Sequence, residues 1–103
     1  MTQIGIPFNK WSLERLLNGS KSATSRNKKY GKVGDVFIIR GKIFKLTNIE
    51  KKKLIIIAMS YYPQEGAETS DEFIGIWRKI HPRAGWTPNK RVWFHQFAEV
   101  DKL

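Results

Sequence analysis

The chain contains no cysteine, so disulfides and thiolate metal sites are excluded at the outset. A reducing, cytoplasmic setting is compatible with that composition. Long apolar runs are also missing: none approaches the roughly 20 residues that span a bilayer. The opening MTQIGIPFNKW lacks a charged segment followed by an apolar one, so no signal peptide is expected there. His81 and His95 are the only histidines and have no suitable partner spacing, so no metal site is expected. Gly-rich phosphate loops, GxSxG elbows and Cys–His pairs are absent as well. No cofactor is implied.

Negative charge is scarce. Nine acidic residues face 19 lysines and arginines, for a formal charge of +10 over 103 residues. Such a field attracts polyanions, and nucleic acid is the leading partner class. A membrane surface is disfavoured because no long basic amphipathic helix is apparent. Four tryptophans, three tyrosines and six phenylalanines argue for a folded globule. The length fits one domain spanning 1–103.

The apolar pattern predicts two helices. Ser12 to Asn18 carries Leu13, Leu16 and Leu17 on one stripe, with Ser12 as its cap and Gly19 after its end. Ser70 to Ile80 has Thr69 or Ser70 to cap it and Asp71 and Glu72 in its first turn. Phe73, Ile76, Trp77 and Ile80 form its stripe, and Pro82 stops it. Five strands are predicted: Ala23–Arg26, Val36–Arg40, Ile43–Ile49, Leu54–Met59 and Val92–Phe97. Glu50 to Lys53 reads as a charged hairpin tip between the third and fourth. Short turns between neighbours imply a mostly antiparallel sheet, which must close or cover its edges. The expected class is α+β, a small barrel of about five to six strands flanked by two helices.

Candidate chemistry concentrates in GSKSATSRNKKYGKVGD, residues 19–35. Lys21 and Thr24, three apart in a glycine-bounded turn, could converge on one small polar ligand. They meet only if Lys21 lies in the turn, because residues three apart on a regular strand point to opposite faces. Glu65, in the loop before the second helix, is the candidate third partner; Glu68 is the alternative. A threonine hydroxyl needs a base to take its proton, and a lysine serves as that base only after losing its own. A glutamic acid could then protonate a departing amine. The plainer alternative is a solvated basic turn.

Arg26, Lys28 and Lys29 form one basic cluster, and Arg83, Lys90 and Arg91 belong to another around Trp86. Cations interleaved with an aromatic ring suit unstacked bases and phosphates. Packing of Trp86 against the body is the competing reading.

GSKSATSR, then GKVGDVF, then QEGAETSDEF and a tryptophan-bearing helix, then VWFHQF, resembles the ASCH domain of the PUA-like superfamily. The resemblance spans most of the chain. It rests chiefly on Gly19–Arg26, Gly34-Asp35 and Glu65-Gly66. It implies a PUA-like β-barrel with a basic cleft sized for a base or nucleoside. Family members are associated with RNA binding, which makes RNA or a modified nucleoside the expected partner. One branch hydrolyses N4-acetylcytidine with a lysine, a threonine and a glutamate. Lys21 and Thr24 match the first two, and Glu65 is matched to the third by a looser alignment. Ribonuclease activity is a further family alternative.

Overall fold

The computed structural model describes all residues from Met1 to Leu103. The elements run α1 (Lys10–Leu17), β1 (Ala23–Arg26), β2 (Val36–Ile39), β3 (Lys42–Lys53), α2 (Leu54–Ile56), α3 (Ser70–Ile80) and β4 (Arg91–Val100). A π-helical turn, Ile57–Tyr61, continues α2. The four strands form one curled antiparallel sheet in the order β1-β4-β3-β2. The architecture is therefore α+β, a half-barrel with helices against it. It has four strands where the sequence suggested five to six, and three helices where it suggested two.

The missing strand is LIIIAM. A continuous apolar run does not by itself separate a strand from a buried helix. Leu54, Ile57 and Ala58 are buried, with Tyr61 partly buried behind them, at helical spacing; Ile56 and Met59 are exposed. The first amides of this helix are satisfied from outside it, Leu54 N–H donating to Lys90 O at 2.9 Å and Ile55 N–H to Pro88 O at 2.9 Å. The expected hairpin tip at Glu50–Lys53 is also absent. β3 continues through it, with Lys51 opposite Trp93 and Lys53 opposite Arg91.

Both predicted helices are present. α1 begins two residues early, because Asn9 rather than Ser12 caps it: Asn9 Oδ1 accepts from Ser12 N–H at 2.8 Å. α3 matches its expected bounds, capped by Thr69 Oγ1 accepting from Glu72 N–H at 3.0 Å. β2 and β3 meet through a tight turn at Arg40-Gly41, both with positive φ (47° and 82°), the geometry of a two-residue hairpin.

Apolar residues pack on both sides of the sheet. One cluster gathers Val92 and Phe94 with Leu54, Ile57, Phe73 and Trp77; the other joins Phe37, Phe44, Leu46 and Phe97 to Leu16 and Ile6. Asp35 is buried and fastens the N-terminal segment. Its carboxylate accepts from Thr2 N–H and Lys32 N–H, both at 3.0 Å.

Candidate functional site

β1 is an edge strand, and a cavity of about 500 Å³ lies along its free edge. Thr24, Ser25 and Arg26 all line it, which consecutive residues of one strand achieve only where the space lies at the strand's edge. Residues Pro7–Asn9 and the start of α1 form one wall. Phe73, Ile76, Trp77 and Ile80 of α3, at helical spacing, form the other.

Lys21 and Glu65 form the polar floor. Backbone geometry brings them together. Lys21 N–H donates to Arg15 O at 3.1 Å, tying this residue to the end of α1. Ser22 N–H and Ala23 N–H both donate to Gln64 O, at 2.7 and 2.9 Å, which docks the Glu65 turn against the start of β1. Gln64 Oε1 in turn accepts from Gln96 Nε2 at 2.8 Å, and Gln96 Oε1 from Asn48 Nδ2 at 3.1 Å. Gly66 completes the turn at φ +94°, where a Cβ would lie 3.1 Å from Arg15 Cβ and 3.3 Å from Lys21 Cβ. A side chain there would be both strained and crowded.

The Lys21 and Glu65 side chains are 3% and 5% exposed. Lys21 Nζ donates to Glu65 Oε1 at 3.2 Å and to Glu65 O at 3.0 Å. Ser25 Oγ donates to Glu65 Oε2 at 2.5 Å. Burial pushes the Lys21 ammonium below its ordinary range; Glu65 opposes that shift and the Arg26 charge adds to it.

Thr24 lines the same cavity but bonds elsewhere. Arg26 Nε donates to Thr24 Oγ1 at 3.0 Å, leaving the threonine hydroxyl free to donate. The three groups singled out in the sequence thus share one cavity, yet the hydroxyl on the carboxylate is Ser25, not Thr24. Ser25 was missed because alternation turns it away from Thr24; only the edge position lets both reach the same space. Glu68 is exposed and lies outside the cavity, its N–H donating to Glu72 Oε1 near the start of α3.

Arg26 and Lys28 line the cavity beside aromatic rings. Arg26 lies 5.0 Å from the Phe8 centroid and 5.7 Å from that of Tyr30, and Lys28 5.2 Å from Tyr30. Burial lowers the Arg26 guanidinium from its ordinary value, opposed by Tyr30 and Glu65, but it remains cationic. Trp11, Tyr30, Trp77 and His81 complete the aromatic lining, His81 stacked on Trp77 at 4.0 Å. The helical stripe containing Trp77 was legible in the sequence; its use as a cavity wall was not.

Tyr30 is placed by His95, which is fully buried. Tyr30 N–H donates to His95 Nε2 at 2.9 Å, so the ring proton sits on Nδ1, facing Thr24 O at 3.2 Å. Burial lowers the His95 pKa, with the Arg26 and Lys29 charges adding to the shift and hydrogen bonds to the Thr24 and Trp93 backbones opposing it.

The remaining basic residues lie outside the cavity. Lys29 sits over Trp93. Arg83, Lys90 and Arg91 are exposed, and Trp86 is half-buried against the core cluster of Phe94 and Trp77. No group of three or more histidines and carboxylates gathers to hold a metal. No helix is long and apolar enough to cross a membrane.

Solved structures share this fold. An ASCH domain from Lactobacillus crispatus superposes with a TM-score of 0.65 at 12% identity, covering 95% of this chain and 78% of that one. The fold is that of an ASCH domain. A DUF984-family protein from Enterococcus faecalis gives 0.60 at 18% identity, covering 96% of this ASCH-fold chain and 78% of its own. A Pyrococcus furiosus protein gives 0.60 at 14% identity, covering 98% and 96%. No protein-family model and no curated protein matches the sequence.

Proposed function

We propose that this ASCH-fold protein binds RNA and takes one nucleobase, or a modified nucleoside, into the cavity beside β1. The observation that carries this reading is a cavity with room for a nucleoside, aromatic walls and a buried ion pair as its floor. About 500 Å³ falls within the usual range for small-molecule sites. Flat walls suit a ring, and the floor and rim offer both donors and acceptors to its edge: Lys21 and Arg26 donate, Glu65 accepts, and Thr24 does either. Keeping two charges out of bulk water is costly, and such an arrangement at a cavity floor is a marker of function. The +10 charge supplies attraction for a phosphate chain.

Titration of labelled single-stranded RNA at two salt concentrations tests the reading. Binding should weaken steeply as salt rises. Thermal-shift measurements with a nucleoside panel should show stabilisation by a ligand that Lys21→Met no longer recognises. Absence of RNA binding at low salt, together with no nucleoside stabilisation, removes the proposal.

A second reading, hydrolysis of an N4-acylated cytidine, is favoured by the depressed Lys21 pKa. Thr24 Oγ would attack the amide carbonyl and pass its proton to neutral Lys21. Glu65 would hold the proton given up when Lys21 becomes neutral and pass it to the departing amine, and water would then cleave the acyl-threonine ester, releasing the carboxylic acid and restoring the Thr24 hydroxyl. Incubation with N4-acetylcytidine decides it: cytidine release abolished in Lys21→Ala supports hydrolysis, and no release at high protein concentration excludes it.

A further inference from the structure

Strand register places a second feature beside the cavity. Arg26 of β1 lies opposite Trp93 of β4, and Trp93 lies opposite Lys51 of β3. Cross-strand partners share a face of the sheet, so these three side chains form one row. Neighbouring strands are spaced roughly 4.8 Å apart, so the row carries the Arg26 end of the cavity about 10 Å across the sheet. One step further along the strands, Lys53 and Arg91 form a second row on the same face.

The charges on this face are unopposed. The ion pairs of the molecule are Arg15–Glu14, Lys21–Glu65, Lys42–Glu99 and Lys52–Glu50, so none of Lys29, Lys51, Lys53 or Arg91 has a carboxylate within 4.0 Å. Glu50 lies opposite Phe94, and alternation directs it to the other side of the sheet, where Lys52 pairs with it. Meanwhile Lys29 Nζ and Lys51 Nζ lie 5.3 and 5.1 Å from the centroid of half-buried Trp93. A large flat ring and two ammonium groups without carboxylate partners therefore meet at one place.

We infer that this face is the track along which a single-stranded polynucleotide leaves the cavity, with Trp93 as a stacking platform for a neighbouring base and Lys29 and Lys51 on the phosphates. The inference rests on the RNA-binding reading above and assigns it a path. Stacking on an aromatic face tolerates any base, whereas the cavity with its polar floor selects one; the two together would give a general grip beside a specific reader. The path keeps Arg26, Lys29 and Arg91 from the surface suggested by the sequence, and takes Trp93 rather than Trp86, with Arg83 and Lys90 beside it, as the platform.

Fluorescence anisotropy with a labelled single-stranded RNA of roughly a dozen nucleotides tests the track. Lys29→Glu combined with Lys51→Glu should weaken binding at least about tenfold and lower the log–log salt slope by about two. Trp93→Ala should weaken it roughly 5- to 150-fold, and Trp93→Phe, which keeps a ring and guards against misfolding, far less. Nucleoside thermal shifts should be unchanged in all of these, and Arg83→Glu with Lys90→Glu should bind RNA like the wild type. Wild-type RNA binding that survives the double charge reversal overturns the track but not the RNA reading. An undiminished affinity in Trp93→Ala overturns the platform. Wild-type protein that ignores RNA at low salt overturns both, as does binding to vesicles of phosphatidylserine and phosphatidylcholine without binding to RNA.

Discussion

Lys21 and Glu65 are 44 positions apart in the chain and joined twice in space, by ammonium to carboxylate at 3.2 Å and by ammonium to backbone carbonyl at 3.0 Å. Removing one partner leaves the other buried without its counter-charge. Glu65→Ala should therefore cost about 3–5 kcal/mol in urea unfolding. Lys21→Met with Glu65→Leu should cost less than the sum of the single changes, because it removes both charges together. Additive losses would show that the pair is not coupled.

Gly66 should tolerate no side chain. At φ +94°, with Arg15 and Lys21 within 3.3 Å of a would-be Cβ, Gly66→Ala should lower stability by about 1–3 kcal/mol. It should also loosen ligand binding at the cavity floor, since Glu65 precedes it. Gly5, which has open space around it and no positive φ, is the control: Gly5→Ala should change stability by less than about 0.5 kcal/mol.

Ser25 and Thr24 should separate binding from hydrolysis. Ser25→Ala removes the hydroxyl from Glu65 and should destabilise by about 1.5–3 kcal/mol, the range for hydrogen bonds to charged groups. Thr24→Val keeps shape and loses the hydroxyl. If the protein cleaves N4-acetylcytidine, turnover should vanish in Thr24→Val and persist in Thr24→Ser. Turnover surviving in Thr24→Val would exclude this hydroxyl as the nucleophile.

Acid should loosen the Tyr30 loop. His95 has a lower pKa folded than unfolded, so the unfolded chain binds the extra proton first as pH falls. Stability is retained above the ordinary histidine value of about 6.5 and declines as pH drops through the folded value. Protonation also converts Nε2 from acceptor to donor, which opposes the Tyr30 amide. The thermal midpoint should fall on acidification from neutral pH, and less steeply in His95→Asn, which can accept and donate without titrating. An equal slope in that variant would mean another group is responsible.

Legibility in the sequence followed the range of the interaction. α3 was readable to the residue because its cap, its acidic first turn, its apolar stripe and its stopping proline are all local. β1 was readable from a weak signal because a glycine-bounded turn precedes it. LIIIAM was misread because an apolar run of six does not record which of its faces meets the core. Trp86 was ambiguous for the same reason: its flanking charges are visible, and the cluster it packs against is not.

Composition alone excluded cysteine chemistry and set the strongly cationic surface, since these depend only on which residues are present. Local patterning fixed two helices and the presence of all four strands, though not how far β3 runs. Tertiary structure alone decided that Glu65 accepts from both Lys21 and Ser25 while Thr24 accepts from Arg26, and that Trp93 stands between Arg26 and Lys51. Those relationships depend on the strand register and on a turn docked across more than forty residues, and no spacing along the chain encodes a distance of that kind.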